Sequence, residues 1–174
     1  MHDIFSDYLF DESQATRERA LTARSNKNIE HSLKDANTNS ELATYGDALL
    51  KLAFCKILFD DEKVKNITVT KQNYESDEVL VKIIARYYNL LEYIKYDKDD
   101  KNIPKDYEFS KPSYKSYKYI ATTVEALIAA IYLDNKEDFS VVVDIARNWK
   151  ELIDKIDKNK TAGGESGFTT IEGE

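Results

Sequence analysis

Asn39–Asp60, NSELATYGDALLKLAFCKILFD, reads as one long helix. Leu42, Ala43, Leu49, Leu50, Leu52, Ala53, Phe54, Ile57 and Leu58 cover most of its circumference. A helix apolar nearly all round belongs inside a helical core. Asn39 or Ser40 is placed to cap its start by accepting a hydrogen bond from a free backbone N–H. Gly46 and Asp47 interrupt the apolar run. A glycine in mid-helix costs about 1 kcal/mol relative to alanine. An aspartate there needs water, a partner or a cation, because a bare buried charge is costly. Two locally unfavourable residues side by side point to a task beyond folding.

A second helix repeats the pattern. Ala121–Leu133, ATTVEALIAAIYL, is strongly apolar and carries one acid, Glu125. Shorter amphipathic stretches surround these two. Asp3–Phe10 and roughly Gln14–Arg24, the latter capped by Ser13, come before the long helix. Ser76–Tyr88, a short helix or turn at Asn89–Tyr96, and Phe139–Ile156 come after it. Asn26–Thr38 is polar and reads as loop with a turn of helix. Asp97–Tyr119 is the longest polar stretch and holds both prolines, Pro104 and Pro112. The 174 residues suffice for one domain with a sizeable core. With only 5 Gly and 2 Pro there is little material for the tight turns of an all-β fold. Helical periodicity dominates, so the fold class is all-α. We expect one helical domain over 1–157 and a flexible tail over 158–174, rich in Gly, Ser and Thr.

The formal charge of −7 argues against a protein whose whole surface grips nucleic acid, so any such contact must be local. The single cysteine, Cys55, cannot form an internal disulfide, which fits a reducing compartment. The first residues, MHDIFSDYLFDES, are acidic and unlike a secretory signal, and no apolar run is long enough to span a bilayer. The expectation is a cytoplasmic protein without a membrane partner.

Two core helices, each with an acid set inside its apolar run, are natural neighbours. If their acidic faces meet at the rim of the core, Asp47 and Glu125 can share a divalent cation. Mg²⁺ suits such a site, since it takes oxygen ligands and is often held by one or two carboxylates plus a substrate phosphate. Mn²⁺ is the alternative. Such an ion would polarise a phosphate and activate a water. Lone acids in helices also serve as salt-bridge partners or first-turn residues, and the residues by themselves leave that reading open.

Four blocks resemble the ribonuclease III domain family. ALTARS at Ala20–Ser25 is similar to the family's ALTHRS. NSELATYGDALL at Asn39–Leu50 resembles the signature NERLEFLGDAVL. SDEVLVKIIARYYNLLEYIKY at Ser76–Tyr96 is similar to the following family helix with its GLxEYI ending. ATTVEALIAAIYLD at Ala121–Asp134 resembles ADxFEALIGAIYLD. The blocks stand in family order. The resemblance implies an all-α endonuclease domain that cuts double-stranded RNA as a homodimer, with the signature helix in the interface. At the position of Thr44, where the family usually has an aromatic, the aromatic stands one residue on, at Tyr45.

The acids are thinner than in most of that family. Asp47 matches the acid of the GD pair and Glu125 that of the FEA triplet. Ser40 and Ala43 stand where the signature has glutamates, and Thr122 replaces the acid before FEA; Glu41 is one residue off. The short branch called Mini-III, with AYIGDA and STAFEAL, has the same Ala and Thr. Mini-III enzymes act on structured ribosomal RNA precursors and carry no double-stranded-RNA-binding domain, and none is expected here after Ile156. By this resemblance Asp47 and Glu125 hold the metal, and Thr122 orients a water.

Lys105–Tyr119, KDYEFSKPSYKSYKY, runs into the Glu125 helix and interleaves lysines with tyrosines. Lys111, Lys115, Tyr117 and Lys118 are the candidate RNA contacts, lysines for phosphates and tyrosine for phosphate or ribose oxygens. The other reading is a solvated loop with its rings packed on the core. Arg17, Arg19 and Arg24 are a second candidate RNA contact, for which a solvated helix face is the favoured reading; His2 and His31 read as surface, Cys55 as a small buried residue, and Trp149 as core. Two rival readings stand beside the nuclease. One is an inactive ribonuclease III fold serving as an RNA-binding or ribosome-associated scaffold. The other is a helical protein without a nucleic-acid role, whose acids pair with lysines.

Overall fold

In the computed structural model the two apolar helices lie against each other and the other described helices pack around them. The structure describes residues 3–24, 37–96 and 117–162. Within these, α1 is Ile4–Phe10, α2 Arg17–Leu21, α3 Ser40–Phe59 and α4 Ile67–Glu75. Helix α5 runs over 77–87, α6 is Lys118–Asp134 and α7 Phe139–Ala162. The fold is all-α; among the described residues the only strand-like pairing is a single parallel bridge between Thr22 and Lys95. None of the described helices is long and apolar enough to cross a membrane.

The core follows from the patterning. Leu50, Ala53, Phe54 and Leu58 of α3 and Val124, Leu127, Ile128 and Ile131 of α6 all lie in the core with almost no exposure. Trp149 of α7 is fully buried, with Phe5 of α1 edge-on at 5.2 Å between ring centroids. Its indole N–H donates to the Tyr88 hydroxyl at 3.2 Å, and that hydroxyl donates to the Asp3 carboxylate. One chain of polar contacts thus ties α7, the end of α5 and the start of α1 around an apolar centre, where an unpaired indole or hydroxyl would be costly.

Helix ends depart from the sequence reading for identifiable reasons. Asn39 is the residue before α3, but its side chain makes no capping bond. It is buried and in a helical conformation, and its amide donates instead to the Thr123 hydroxyl at 3.0 Å. The buried hydroxyl of α6 claims the group that would otherwise cap α3. Ser13 does not cap α2, which starts later, at Arg17, with Thr16 before it. Thr16 is held by Asp134 at the far end of α6, through its N–H at 2.9 Å and its hydroxyl at 2.6 Å. The Tyr8 hydroxyl donates to the same carboxylate at 2.6 Å, and burial, then this bond, pushes it well above the usual tyrosine range.

Residues 77–87 form a helix as expected, but Leu80–Ile84 is wound as a π-turn. Asn89, with φ 49°, turns the chain into the short 3-10 segment Leu90–Glu92. Asparagine tolerates that left-handed conformation better than most residues. Helix α4 is capped by Asn66, whose side chain accepts from the Val69 N–H at 3.2 Å. The last helix continues past Ile156 to Ala162. Cys55 is only half-buried, because it lies on the outer side of α3 rather than against α6. His2, His31, Lys111 and Lys115 lie outside the described residues.

Candidate active site

Asp47 lies in the second turn of α3, and Gly46 beside it explains how close α6 comes. A Cβ built at Gly46 would stand 1.7 Å from the Glu125 carbonyl oxygen and 3.1 Å from the Ala129 nitrogen. No side chain fits there, so glycine lets the two backbones touch at the turn that carries Glu125. The local cost of a helical glycine is offset by this contact. Asp47 of α3 and Glu125 of α6 therefore come together at one crossing.

The electrostatics report that convergence. Glu125 is half-buried, and its carboxyl is pushed up to about 7, first by burial and then by the charge of Asp47. A further acid that sequence reasoning missed, Asp77 at the start of α5, adds to the same effect. Lys51 and Lys118 oppose it. Lys51 donates to the Asp47 carboxylate at 2.7 Å, from one turn further along α3. The i, i+4 spacing of Asp47 and Lys51 is a signal that could have found this pair in the sequence. Asp77 had no such signal, because its place depends on how α5 packs on α6.

Thr122 precedes Glu125 by one turn on α6 and is half-buried, so its hydroxyl shares that face. Lys118 precedes Thr122 by a further turn, is exposed, and has its ammonium 3.9 Å from the Asp77 carboxylate. Tyr117, expected among the RNA contacts, is buried at the head of α6 instead. Its ring adds apolar area to the core, where the loop reading had placed it as the alternative. Arg17 and Arg19 are not an open basic face: Arg17 donates to the Leu9 carbonyl, and Arg19 to the Thr38 carbonyl and the Glu41 carboxylate. Ser40 and Ala43, at the positions of absent acids, continue the Asp47 side of α3 towards its start.

Two half-buried carboxylates at one crossing, the charge of Asp47 opposing ionisation of Glu125, suit a hard divalent cation. Mg²⁺ commonly takes one or two protein carboxylates and completes its shell with water and phosphate. Among the described residues no three acid, histidine or cysteine side chains converge as a metal cage. Asp47 and Glu125 are the pair of carboxylates at the crossing that could hold such an ion.

Comparison with known proteins gives the family of the chain. Ribonuclease 3 of Clostridium perfringens (strain 13 / Type A) is 30% identical over 139 residues, a match that covers 78% of this chain and 54% of the relative. The chain thus spans about half the length of the curated relative it matches. Residues 40–136, from the first residue of α3 to just beyond the end of α6, match the model of the Ribonuclease III domain. That match takes in more than half of the chain and both helices of the acidic crossing, and the chain belongs to the ribonuclease III domain family.

Proposed function

We propose that the protein is a divalent-cation-dependent endoribonuclease, acting in the cytoplasm on double-stranded or structured RNA such as a ribosomal RNA precursor. The observation that carries this reading is the Gly46 contact, which sets Asp47 and Glu125 at one crossing of the two core helices. Mg²⁺, or Mn²⁺ in its place, would be held by these two carboxylates; when bound it supplies positive charge to the phosphodiester and lowers the pKa of a water. The chain's own residues do the rest. Asp47 and Glu125 orient the reacting phosphate by fixing the charge beside it. The Thr122 hydroxyl, one turn from Glu125, holds the attacking water by hydrogen bond. Lys118 neutralises a neighbouring phosphate, and Lys111 and Lys115 extend that role along the strand. A-form RNA would be recognised by shape, phosphates and 2′-hydroxyls rather than by base sequence.

Cutting both strands requires two such sites, and the outer side of α3 suggests how a homodimer forms. Tyr45, Leu52 and Phe59 stand seven residues apart and are 42%, 56% and 76% exposed. Ala48 and Cys55 fall between them at the spacing of a helix seam. Exposed apolar stripes of this kind mark association surfaces. Leu52→Glu should convert a dimer to a monomer in sedimentation velocity without changing the circular dichroism spectrum. A wild-type protein that sediments as a monomer at all concentrations would refute the dimer.

A second reading draws on Ser40, Ala43 and Thr122, which stand where most of the family has acids: a fold retained for RNA binding alone. Incubation with long duplex RNA at low salt decides between them. Cutting that needs Mg²⁺ and falls by at least about a hundredfold in Asp47→Asn and in Glu125→Gln is the expected result, a size in keeping with loss of the charge that stabilises the transition state. Binding without cutting would support the scaffold instead.

A further inference from the structure

Lys51 occupies an unusual place. It extends from α3 with its ammonium on the Asp47 carboxylate, and the charges of Glu75 and Glu125 also act on it. The three acids come from three helices, α3, α4 and α6. An ammonium resting on one carboxylate and acted on by two more is a monovalent cation where the reaction calls for a divalent one.

Glu75 is the second, independent observation. It ends α4, and its side chain is only 7% exposed. One carboxylate oxygen takes the Lys71 ammonium. The other, Oε2, is buried without any hydrogen-bond partner. A buried carboxylate oxygen with no donor is costly, and such orphans are rare in folded proteins. Tyr74, the chain neighbour of Glu75, sets this end of α4 against α3, and the charge of Glu75 acts on Lys51. The Tyr74 ring stacks on Phe54 with centroids 5.5 Å apart, and Phe54 lies one turn beyond Lys51. The half-exposed Lys51 thus has a second anionic acceptor within the same packed corner. Its four-carbon stem is flexible enough to change partners.

We propose that Lys51 is a resident counter-ion for Asp47, which is displaced when a divalent cation binds and moves its ammonium to the orphan oxygen of Glu75. Without the cation, Lys51 keeps Asp47 neutralised beside Glu125. With the cation, Asp47 turns to the metal, like charges repel Lys51, and Glu75 receives it and gains the hydrogen bond it lacks. Glu75 and Lys51 are positioning residues in this exchange, neither being a metal ligand. The inference rests on the reading of Asp47 and Glu125 as the cation site.

The test uses the full chain and Mn²⁺ alone, with the free ion counted by electron paramagnetic resonance, so no activity is required. Lys51→Gln removes the competitor and should bind Mn²⁺ about three- to tenfold more tightly than wild type, the scale of losing one partly exposed ion pair plus a like charge beside the ion. Lys51→Arg keeps a cation there and should bind as wild type does. Glu75→Gln takes away the anionic acceptor and should weaken binding when Lys51 is present, but have no effect in the Lys51→Gln background. Lys51 is half exposed, so its substitution leaves the core intact and the comparison with wild type stands however Glu75→Gln folds. Equal affinity in wild type and Lys51→Gln would overturn the exchange while leaving the cation site standing. Binding that survives unchanged in Asp47→Asn, or is absent from every protein, would overturn the cation reading and the exchange with it.

Discussion

Gly46→Ala should melt several degrees below wild type, against the direction that helix propensity predicts. Alanine in place of glycine within a helix ordinarily gains about 1 kcal/mol. Here the added methyl would stand 1.7 Å from a backbone carbonyl oxygen and 2.6 Å from its carbon. Backbone cannot rotate away as a side chain can, so α3 and α6 must separate. Overpacking of this kind costs about 1–3 kcal/mol and sometimes more. With contact this short and the most extensive helix pair of the fold involved, a net loss of about 2 kcal/mol or more is expected. For a chain of this size that corresponds to a fall of roughly 4–8 °C in Tm. Thermal unfolding followed by circular dichroism measures it. A variant as stable as wild type would show that the helices do not touch at Gly46, and the shared site would lose its structural basis. The same separation would draw Asp47 away from Glu125, so RNA cutting should fall more steeply than stability.

Glu125→Gln should stabilise the cation-free protein at neutral and alkaline pH and have little effect in acid. Glu125 is pushed up from 4.5 to about 7 by burial and by the nearby charge of Asp47. Below pH 4.5 the carboxyl is protonated in both folded and unfolded chains and contributes no difference. Between 4.5 and 7 the folded chain holds a proton that the unfolded chain has released, so stability falls as pH rises. Above about 7 the folded protein carries the full cost of an ionised, half-buried carboxylate. With a discount for the exposed part of the group, that cost is about 1–2 kcal/mol. Glutamine cannot ionise and escapes it. Denaturant unfolding at about pH 4, 6 and 8 in the presence of chelator measures the difference. A variant that is no more stable than wild type at about pH 8 would show that Glu125 is not strained by its surroundings. Added Mg²⁺ should narrow the gap, because it stabilises only the protein that retains the charge.

Much of this was legible from local pattern. Apolar spacing placed a helix over Asn39–Asp60, and the structure has one at Ser40–Phe59. The same spacing found α6, and with it the two acids that no buried helix needs for folding. The family blocks supplied the order in which these pieces occur. Other features were out of reach because they depend on partners distant in the chain. Asn39 has every property of a helix cap, yet its amide goes to Thr123, 84 residues away. Tyr117 looked like one more ring in a basic loop, yet it is part of the core. Asp77 and Glu75 were ordinary acids until the ends of α4 and α5 set them near the crossing.

Helical periodicity and the cost of a buried charge act within a few residues of one another. The all-α class, the two core helices and the acid on each could therefore be read from the order of residues. Three things could not: that Gly46 is the point of backbone contact, that the charge of Asp47 reaches Glu125, and that Lys51 rests on Asp47 while a buried oxygen of Glu75 has no partner. Those facts depend on how one helix is turned and shifted against the next. That alignment is set by side chains filling space across the whole core, and no single stretch of chain contains it.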